Sequence, residues 1–490
     1  MVGIRSFLFE NRGIRQALLK NTFWISLSEG FGKALRALLM IYIARFLGPT
    51  EYGVLNFAMS FVALFVSFLD FGLASIITRE LAADGRREAD LPALLSLKAC
   101  LTAGTVLMIW LGSFFITPDP AVRTVVQLLA LFSALTQFPE FFYAFWRARQ
   151  RMEYEAWTNI GHVSLVMAVT LAVIARFPNA WAVSSGYLLC SLATLVVVAF
   201  FFYSRFQPPS LIWDTRVWKR YLLLSYPLAL TSIFGMLYSY VDSILMGYLG
   251  QITQTGLYHG ALKIIYVILT PVGILSLSFF PVLSKFSRES VPALQRAMNV
   301  QMGISLAMAV PLICGGVALA PGIIHFLYGP AYAASARVLQ ILLFMAGLAC
   351  FCTPLSNLLI ANHQQGKIFW VGLTGSVVSV GLNFWLIPRF SLYGAASVAV
   401  ISYAVMFLLY LYLSRRFTPV RFFNSELLVI AGMIVLAAAA MLLVITRPVV
   451  ASLHVLLAVS IGAGTYLGTL LLLVPAFHRL NPGFWERFAL

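Results

Sequence analysis

The sequence is poor in charge, since only 10% of its 490 residues are Asp, Glu, Lys or Arg, against about 25% in a typical soluble domain. It has 17 acidic residues and five cysteines. So few charges exclude a cytosolic enzyme and a disordered chain, and so few cysteines exclude a secreted disulfide scaffold. The cysteines all lie in apolar runs without metal-ligand spacing, so we expect no cofactor and no metal site.

Hydrophobic residues make up 61% of the chain. They form continuous apolar stretches of about 20 residues, long enough to cross a membrane core of ~30 Å. The stretches lack the period-two alternation of barrel strands, so we predict an all-α polytopic membrane protein. We place about fourteen transmembrane helices near 21–46, 54–78, 92–117, 121–146, 154–175, 180–204, 219–247, 256–283, 298–320, 331–360, 367–388, 391–414, 426–446 and 450–474.

The positive charges lie mainly on one side of these spans. The chain has 33 Lys and Arg residues. Of these, 23 lie on the side of the membrane that holds both termini, five lie on the opposite side, and five lie within spans. By the positive-inside rule, both termini are expected in the cytoplasm of a plasma (inner) membrane. The excess positive charge is thus explained by the orientation of the chain in the membrane, and we expect no nucleic-acid partner.

Matching residues recur at a nearly constant offset, which indicates an internal repeat. Gly48 matches Gly250, Gly53 matches Gly256, and Arg176 matches Arg389, at offsets of 202 to 213. Each copy holds six spans, so the two copies enter the membrane from the same side. We predict two six-helix lobes related by a pseudo-two-fold axis along the membrane normal, plus two extra C-terminal helices.

These patterns give five predicted regions. They are an interfacial amphipathic segment at 1–20, an N-terminal lobe at 21–205, a cytoplasmic linker at 206–218, a C-terminal lobe at 219–416, and helices 13 and 14 with a cytoplasmic tail at 417–490.

The chain has no phosphate-loop pattern, because the Gly366-Lys367 pair is followed by Ile368 and lacks the required earlier glycine. The loops are also too short to hold a domain. These absences favour a transporter that does not hydrolyse ATP rather than an enzyme.

Three short motifs occur in order along the chain: Ala44–Gly53 (ARFLGPTEYG), Asp70–Leu73 (DFGL), and Leu327–Tyr332 (LYGPAY). In this set and in span number, the sequence resembles the polysaccharide flippases of the MOP superfamily. The resemblance implies export of a polyprenyl-pyrophosphate-linked oligosaccharide for surface polysaccharide biosynthesis. It leaves two alternatives open, a cation-coupled multidrug exporter of the same superfamily and a lipid II flippase.

Charged residues within the spans are the candidate site residues, since a charge at mid-helix costs about 2.5–3.5 kcal/mol. Glu29, Lys33 and Arg36 share one face of span 1, where Glu29 and Lys33 are spaced to form a pair. Arg36, Lys33, Lys263 and Arg337 are predicted to bind the anionic substrate. For Lys263, snorkelling to the outer interface is the alternative, and for Lys98 it is favoured.

Four acids are candidates for ion coupling or for charge pairing: Glu29, Asp70, Glu140 and Asp242. For Asp70 a structural role, capping a helix or pairing a cytoplasmic arginine, is favoured. Asp242 has no basic residue within one turn. It is therefore the stronger candidate to bind Na⁺ or H⁺, or to form an ion pair with Lys263. His162 is interpreted as a satisfied buried histidine. We expect a monomer, in association with glycan-assembly enzymes.

The charge asymmetry predicts the topology directly. Single cysteines introduced at 205–218 should react with a membrane-impermeant thiol reagent only from the cytoplasm, and those at 321–330 only from outside. The reagent is applied in turn to intact cells and to inverted vesicles. Reaction of both segments from the same side would contradict the fourteen-span interpretation.

Overall fold

The structure is a computed structural model that describes residues 14–206, 210–422, 424–451 and 453–480. In these ranges the chain is built of α-helices, joined by short turns and two 3₁₀ segments, without a β-strand. Within the described part of the chain, twelve helices are long and apolar enough to cross a membrane. The prediction of an all-α polytopic membrane protein is therefore confirmed.

The chain divides into two compact units, one ending at Gly256 and the other beginning at Leu257. The helices of the first unit are α1 (Ile14–Asp70), α2 (Leu73–Ala83), α3 (Leu91–Ile116), α4 (Pro120–Gln137), α5 (Pro139–Ala148), α6 (Met152–Arg176), α7 (Ala180–Arg205) and α8 (Thr215–Tyr248), with a 3₁₀ segment at Gly85–Asp90. Helix α9 (Ile252–Glu289) begins in this unit and continues into the second.

The second unit contains most of α9 and the helices α10 (Val291–Tyr328), α11 (Ala333–Ala361), α12 (Gln365–Phe417), α13 (Ser425–Ile445), α14 (Pro448–Ala451) and α15 (Val455–Leu480), with a 3₁₀ turn at Pro330–Tyr332. The division between the units falls within α9, whereas we predicted the lobe boundary at 206–218. The predicted domain ranges remain predictions. Most of the interfacial segment at 1–20 lies outside the described residues, and its part at 14–20 belongs to α1.

Two of the twelve helices contain a residue with non-helical backbone angles, Gly48 in α1 and Ser391 in α12. Each of these residues separates two apolar stretches that we predicted as separate spans. Counting each long helix as two spans is consistent with fourteen.

The glycine in each Gly-Pro motif has a backbone conformation that other residues avoid. Gly48 has φ 74° and ψ 172°, and Gly329 has φ 84° and ψ −176°. This region is accessible essentially only to glycine. The proline that follows cannot donate a backbone hydrogen bond and is favoured at the start of a helix. Gly-Pro therefore ends one helix and starts the next at both places.

A second backbone feature recurs at the repeat offset of 213. Gln150 and His363 adopt φ of 56° and 58°. Around Gln150, the amide of Arg151 donates to the Trp146 carbonyl at 2.9 Å. Around His363, the Gln364 amide donates to the Leu359 carbonyl at 2.8 Å. Both are Schellman-type helix ends, with the left-handed residue that such ends require. The two sequence copies thus share a turn geometry as well as residues.

Aromatic packing fixes the short helix α5, which carries part of the candidate site. Phe142 and Phe145 pack against Phe202 of α7, with ring centroids 4.8 and 5.1 Å apart. Trp146 is fully buried beside them. Since these rings hold one face of α5 in the core of the first unit, the remaining face is free to carry polar groups.

The bend of α12 at Ser391 brings Gly394 against the preceding segment of the same helix. A Cβ added at Gly394 would lie 2.5 Å from the Leu386 carbonyl oxygen. Gly394→Ala should lower the thermal unfolding midpoint in detergent by several degrees, because overpacking costs about 1–3 kcal/mol. Gly381 lies in the same helix with open space around it, so Gly381→Ala is the control. Equal midpoints for the two variants would contradict a tight bend.

Candidate functional site

The first unit contains a polar cavity of about 230 Å³. Its wall includes the charged side chains of Glu29, Arg36, Glu140, Arg147 and Glu155. Its uncharged polar groups come from Thr136, Tyr143, Asn159, His162, Ser191 and Thr194. So many polar groups within apolar helices mark this cavity as the candidate functional site.

Helix α1 contributes Glu29 and Arg36, which the sequence placed on one face with Lys33. The Lys33 ammonium lies 3.7 Å from the Glu29 carboxylate, and both side chains are exposed. The predicted Glu29–Lys33 pair is present, and it is a weak one by distance and exposure. Lys33 is thus paired, whereas Arg36 has no carboxylate within one turn on this face of the helix.

Arg36 folds back over Gly32. A Cβ at Gly32 would lie 3.0 Å from Nη2 of Arg36, so the absent side chain of glycine makes room for the guanidinium. Among the residues that the structure describes, no carboxylate lies within 4 Å of this guanidinium. Arg36 therefore presents hydrogen-bond donors that are available to an anion.

Helix α5 contributes Glu140 and Arg147. The Arg147 guanidinium lies 3.2 Å from Glu140, and its Nε donates to Glu155 Oε2 at 2.8 Å. A second nitrogen of Arg147 contacts the other oxygen of Glu155. We counted Arg147 among the cytoplasmic-side charges that follow the span at 121–146. In the structure α5 extends to Ala148, so Arg147 lies in its last turn and on the cavity wall, between two carboxylates.

Helix α6 contributes Glu155, Asn159 and His162, whose spacing of four and three residues puts them on one face. His162 Nδ1 lies 2.8 Å from Thr194 Oγ1, and that hydroxyl donates to the Cys190 carbonyl at 2.8 Å. The threonine oxygen thus accepts from His162, which agrees with the interpretation of a satisfied histidine. Sequence reasoning missed Glu155 and Asn159, although their spacing with His162 repeats that of Glu29, Lys33 and Arg36.

Asp70 lies outside the cavity wall and has structural contacts. Its Oδ2 accepts from the Ala74 amide at 3.2 Å, and its Oδ1 lies 2.7 Å from the Lys98 ammonium. The favoured capping and pairing role is therefore present, although the partner is Lys98 rather than an arginine. Lys98 is 1% exposed, so the expectation that it snorkels to the interface was wrong.

The remaining candidates do not line this cavity. Asp242 in α8 accepts from the amide and the hydroxyl of Ser243, at 2.6 and 3.0 Å. Lys263 on α9 is half-buried and Arg337 on α11 is exposed, and both belong to the second unit. Their predicted roles remain predictions.

The second unit contains a larger cavity of about 430 Å³ with an apolar wall. Met441, Ile445 and Leu467 of the C-terminal helices line it. The residues that these helices contribute to the cavity wall carry no charge.

The comparisons with known proteins give the chain its family. Residues 18–287, more than half of the chain, match the model of the family described as "Polysaccharide biosynthesis protein". The chain belongs to this family. The resemblance to polysaccharide flippases, which rested on the three sequence motifs, is confirmed.

Relatives of this polysaccharide biosynthesis protein include a probable flippase, AglR, of Haloferax volcanii, with 27% identity over 190 residues. That match covers 38% of this chain and 38% of AglR. The capsular polysaccharide biosynthesis protein CapF of Staphylococcus aureus is 20% identical, with 81% of this chain and all of CapF covered. An uncharacterised membrane protein of Methanocaldococcus jannaschii, MJ1068, is 22% identical, with 84% and 87% covered.

Solved structures show the fold. The lipid II flippase MurJ in an inward closed conformation has a TM-score of 0.74, at 14% identity, with 93% of this chain and 98% of MurJ covered. An inward-facing multidrug resistance MATE transporter of the MOP superfamily has a TM-score of 0.60, at 15% identity, with 79% and 94% covered. This polysaccharide biosynthesis protein thus has the fold of MOP-superfamily transporters.

The cluster at Arg147 predicts a large difference between two neighbouring arginines. Arg147→Ala should destabilise the protein by about 3 kcal/mol, because two mostly buried carboxylates lose their cation. Arg149, paired with Glu88, is 43% exposed, so Arg149→Ala is the control and should cost at most about 1 kcal/mol. Thermal unfolding in detergent measures both. An Arg147→Ala variant as stable as the control would show that the cluster does not hold the site together.

Proposed function

We propose that this protein flips a polyprenyl-pyrophosphate-linked oligosaccharide from the cytoplasmic to the outer leaflet of the plasma membrane by alternating access. The family assignment and the names of two relatives, probable flippase AglR and capsular polysaccharide biosynthesis protein CapF, support this class of cargo. The fold supports a transporter rather than an enzyme. The cargo's lipid tail stays in the bilayer, while its pyrophosphate and sugars need a polar passage.

The observation that carries the proposal is Arg36. It is a permanent cation on the wall of a polar cavity, and the described residues place no carboxylate within 4 Å of it. A guanidinium can hold phosphate oxygens in a two-pronged contact. On the same wall, Asn159 carries an amide that can bind sugar hydroxyls. The hydroxyls of Thr136 and Ser191 donate to carbonyls of their own helices, so their oxygens act there as acceptors.

Ion coupling is not required by the energetics of this transport direction. An anion that leaves a cytoplasm at negative potential moves downhill, and two charges crossing ~150 mV gain about 7 kcal/mol. Binding of Na⁺ or H⁺ by Asp242, or by the acids Glu29, Asp70 and Glu140, would serve only to return the empty carrier to its inward-facing state. A monomer with cytoplasmic termini, working beside glycan-assembly enzymes, completes the proposal.

A cation-coupled multidrug exporter is the alternative from the same fold. Such a protein would need carboxylates available to a cationic drug. Here Glu140 and Glu155 both contact Arg147, and Glu29 lies beside Lys33. The available charge is the positive one of Arg36, which favours an anionic cargo. A lipid II flippase would also prefer an anionic cargo. The two kinds of flippase differ in the sugar that the cargo carries.

Arg36 should determine transport of the pyrophosphate. Arg36→Ala should reduce flipping of a fluorescent polyprenyl-pyrophosphate disaccharide in proteoliposomes about 10²-fold, because a charged hydrogen bond is worth about 1.5–3 kcal/mol. Arg36→Lys should recover only part, since the ammonium lacks the two-pronged geometry. Arg36→Glu should be worse than Ala because it repels the anion.

The matched control is Arg176→Ala, which removes the same charge from an exposed position at the end of α6. It should leave flipping unchanged while the protein inserts normally. Normal flipping by Arg36→Glu would refute the role of Arg36. Failure of the unmodified protein to flip the probe would refute the proposed cargo.

A further inference from the structure

Two segments that match in sequence at an offset of 203 contact each other within the first unit. They are 49–53, at the start of the second half of α1, and 252–256, at the start of α9. The hydroxyls of Thr50 and Thr253 lie 3.0 Å apart and form a hydrogen bond. Pro49, Thr50 and Gly53 correspond to Ile252, Thr253 and Gly256. Thr50 meets its own counterpart, and the backbones of Pro49 and Gly53 approach those of Gly256 and Ile252.

The contact brings backbone against backbone. A Cβ added at Gly53 would overlap the carbonyl of Ile252, and one added at Gly256 would overlap the carbonyl of Pro49. The same added atom at Gly256 would lie 2.8 Å from the Gly53 amide nitrogen. Only glycine at both positions allows the helix starts to approach this closely.

A third glycine extends the contact. A Cβ added at Gly247, near the end of α8, would overlap the ring of Phe57. Phe57 is fully buried, one turn beyond Gly53. The seam formed by residues 49–57 and 247–256 is therefore closed along its length, with no space for a sugar between the backbones.

The position of the seam makes it relevant to transport. Both segments follow a glycine with positive φ, Gly48 at 74° and Gly250 at 75°. By the charge distribution, both turns lie at the outer face of the membrane. The first segment continues a helix of the first sequence copy, and the second begins a helix of the second copy. Under the proposed alternating access, the two copies separate at the outer face, and this separation has to open the seam.

We infer that the seam of residues 49–57 and 247–256 is the outer gate of the transporter, closed by direct contact of its repeat-matched glycines. This inference rests on the proposed function, because a flippase must open its polar passage to the outside once per cycle. Glycine backbones and one threonine pair hold the gate shut. Among the described residues no ion pair crosses this contact, which suits a gate that opens repeatedly.

A reversible crosslink tests the gate. In a background without the five native cysteines, Thr50→Cys and Thr253→Cys are combined, and a protease site is placed between Arg205 and Thr215. After protease treatment, a disulfide holds the two fragments together on a non-reducing gel. The close approach of the hydroxyls predicts rapid disulfide formation with a mild oxidant.

Oxidation should reduce flipping of the fluorescent polyprenyl-pyrophosphate disaccharide by about tenfold or more, and a reductant should restore it, because opening is an obligatory step. The single variants Thr50→Cys and Thr253→Cys control for oxidation itself and should be unaffected. A complete crosslink with unchanged flipping, or the absence of any crosslink, would overturn the gate while leaving the proposed function standing. Lack of flipping by both the unmodified protein and the reduced double variant would instead overturn the proposed function, and the gate with it.

A glycine variant gives a second measurement. Gly256→Ala should lower the initial rate of crosslinking about fivefold or more, because the added methyl group forces the backbones apart. Gly104 is a helical glycine with open space around it, so Gly104→Ala should leave the rate unchanged. Equal rates in the two variants, at equal amounts of inserted protein, would overturn closure by glycine contact.

Discussion

The constraint on which this structure depends is the cost of a charge among apolar helices. Each such charge must be paired or must face a polar space. The buried Lys98 meets this requirement through Asp70, and the buried Lys20 lies 2.9 Å from Glu153. Arg147 meets it with two carboxylates. Arg36 has no such pair among the described residues, and it stands on the wall of the polar cavity. This combination of an unpaired charge and a polar wall is the reason that the proposed function rests on Arg36.

The fold could be predicted from the sequence because its determinants are local. A run of about 20 apolar residues can only be a spanning helix in a membrane, and loop charge sets its orientation. The Gly-Pro motifs are equally local. Gly48 and Gly329 share a conformation that needs glycine, so the Gly-Pro motif indicates a break between helices. The sequence interpretation located both breaks without knowing their geometry.

The site was harder to predict because its determinants are distant in sequence. Hydropathy placed Arg147 just beyond the end of a span, whereas α5 extends to Ala148 and carries Arg147 on the cavity wall. Lys98 was assigned to the interface, whereas Asp70, 28 residues earlier, buries it in an ion pair. The face of Glu29, Lys33 and Arg36 was recognised because its spacing lies within one helix. Partners on other helices leave no such pattern.

The repeat clarifies which parts of the molecule must be symmetric. Backbone features recur in both copies: the turns at Gln150 and His363, and the glycines Gly53 and Gly256. The charges on the face of Glu29, Lys33 and Arg36 do not recur. At the offset of 203, the counterparts of Glu29, Lys33 and Arg36 are Ser232, Met236 and Ser239. A cargo with a charged head at one end can be held by one copy alone. Under the proposed alternating access, two copies that move against each other still need matching backbones in the seam of residues 49–57 and 247–256. In that mechanism, movement requires the glycines of both copies, whereas binding of the cargo requires the arginine of one copy only.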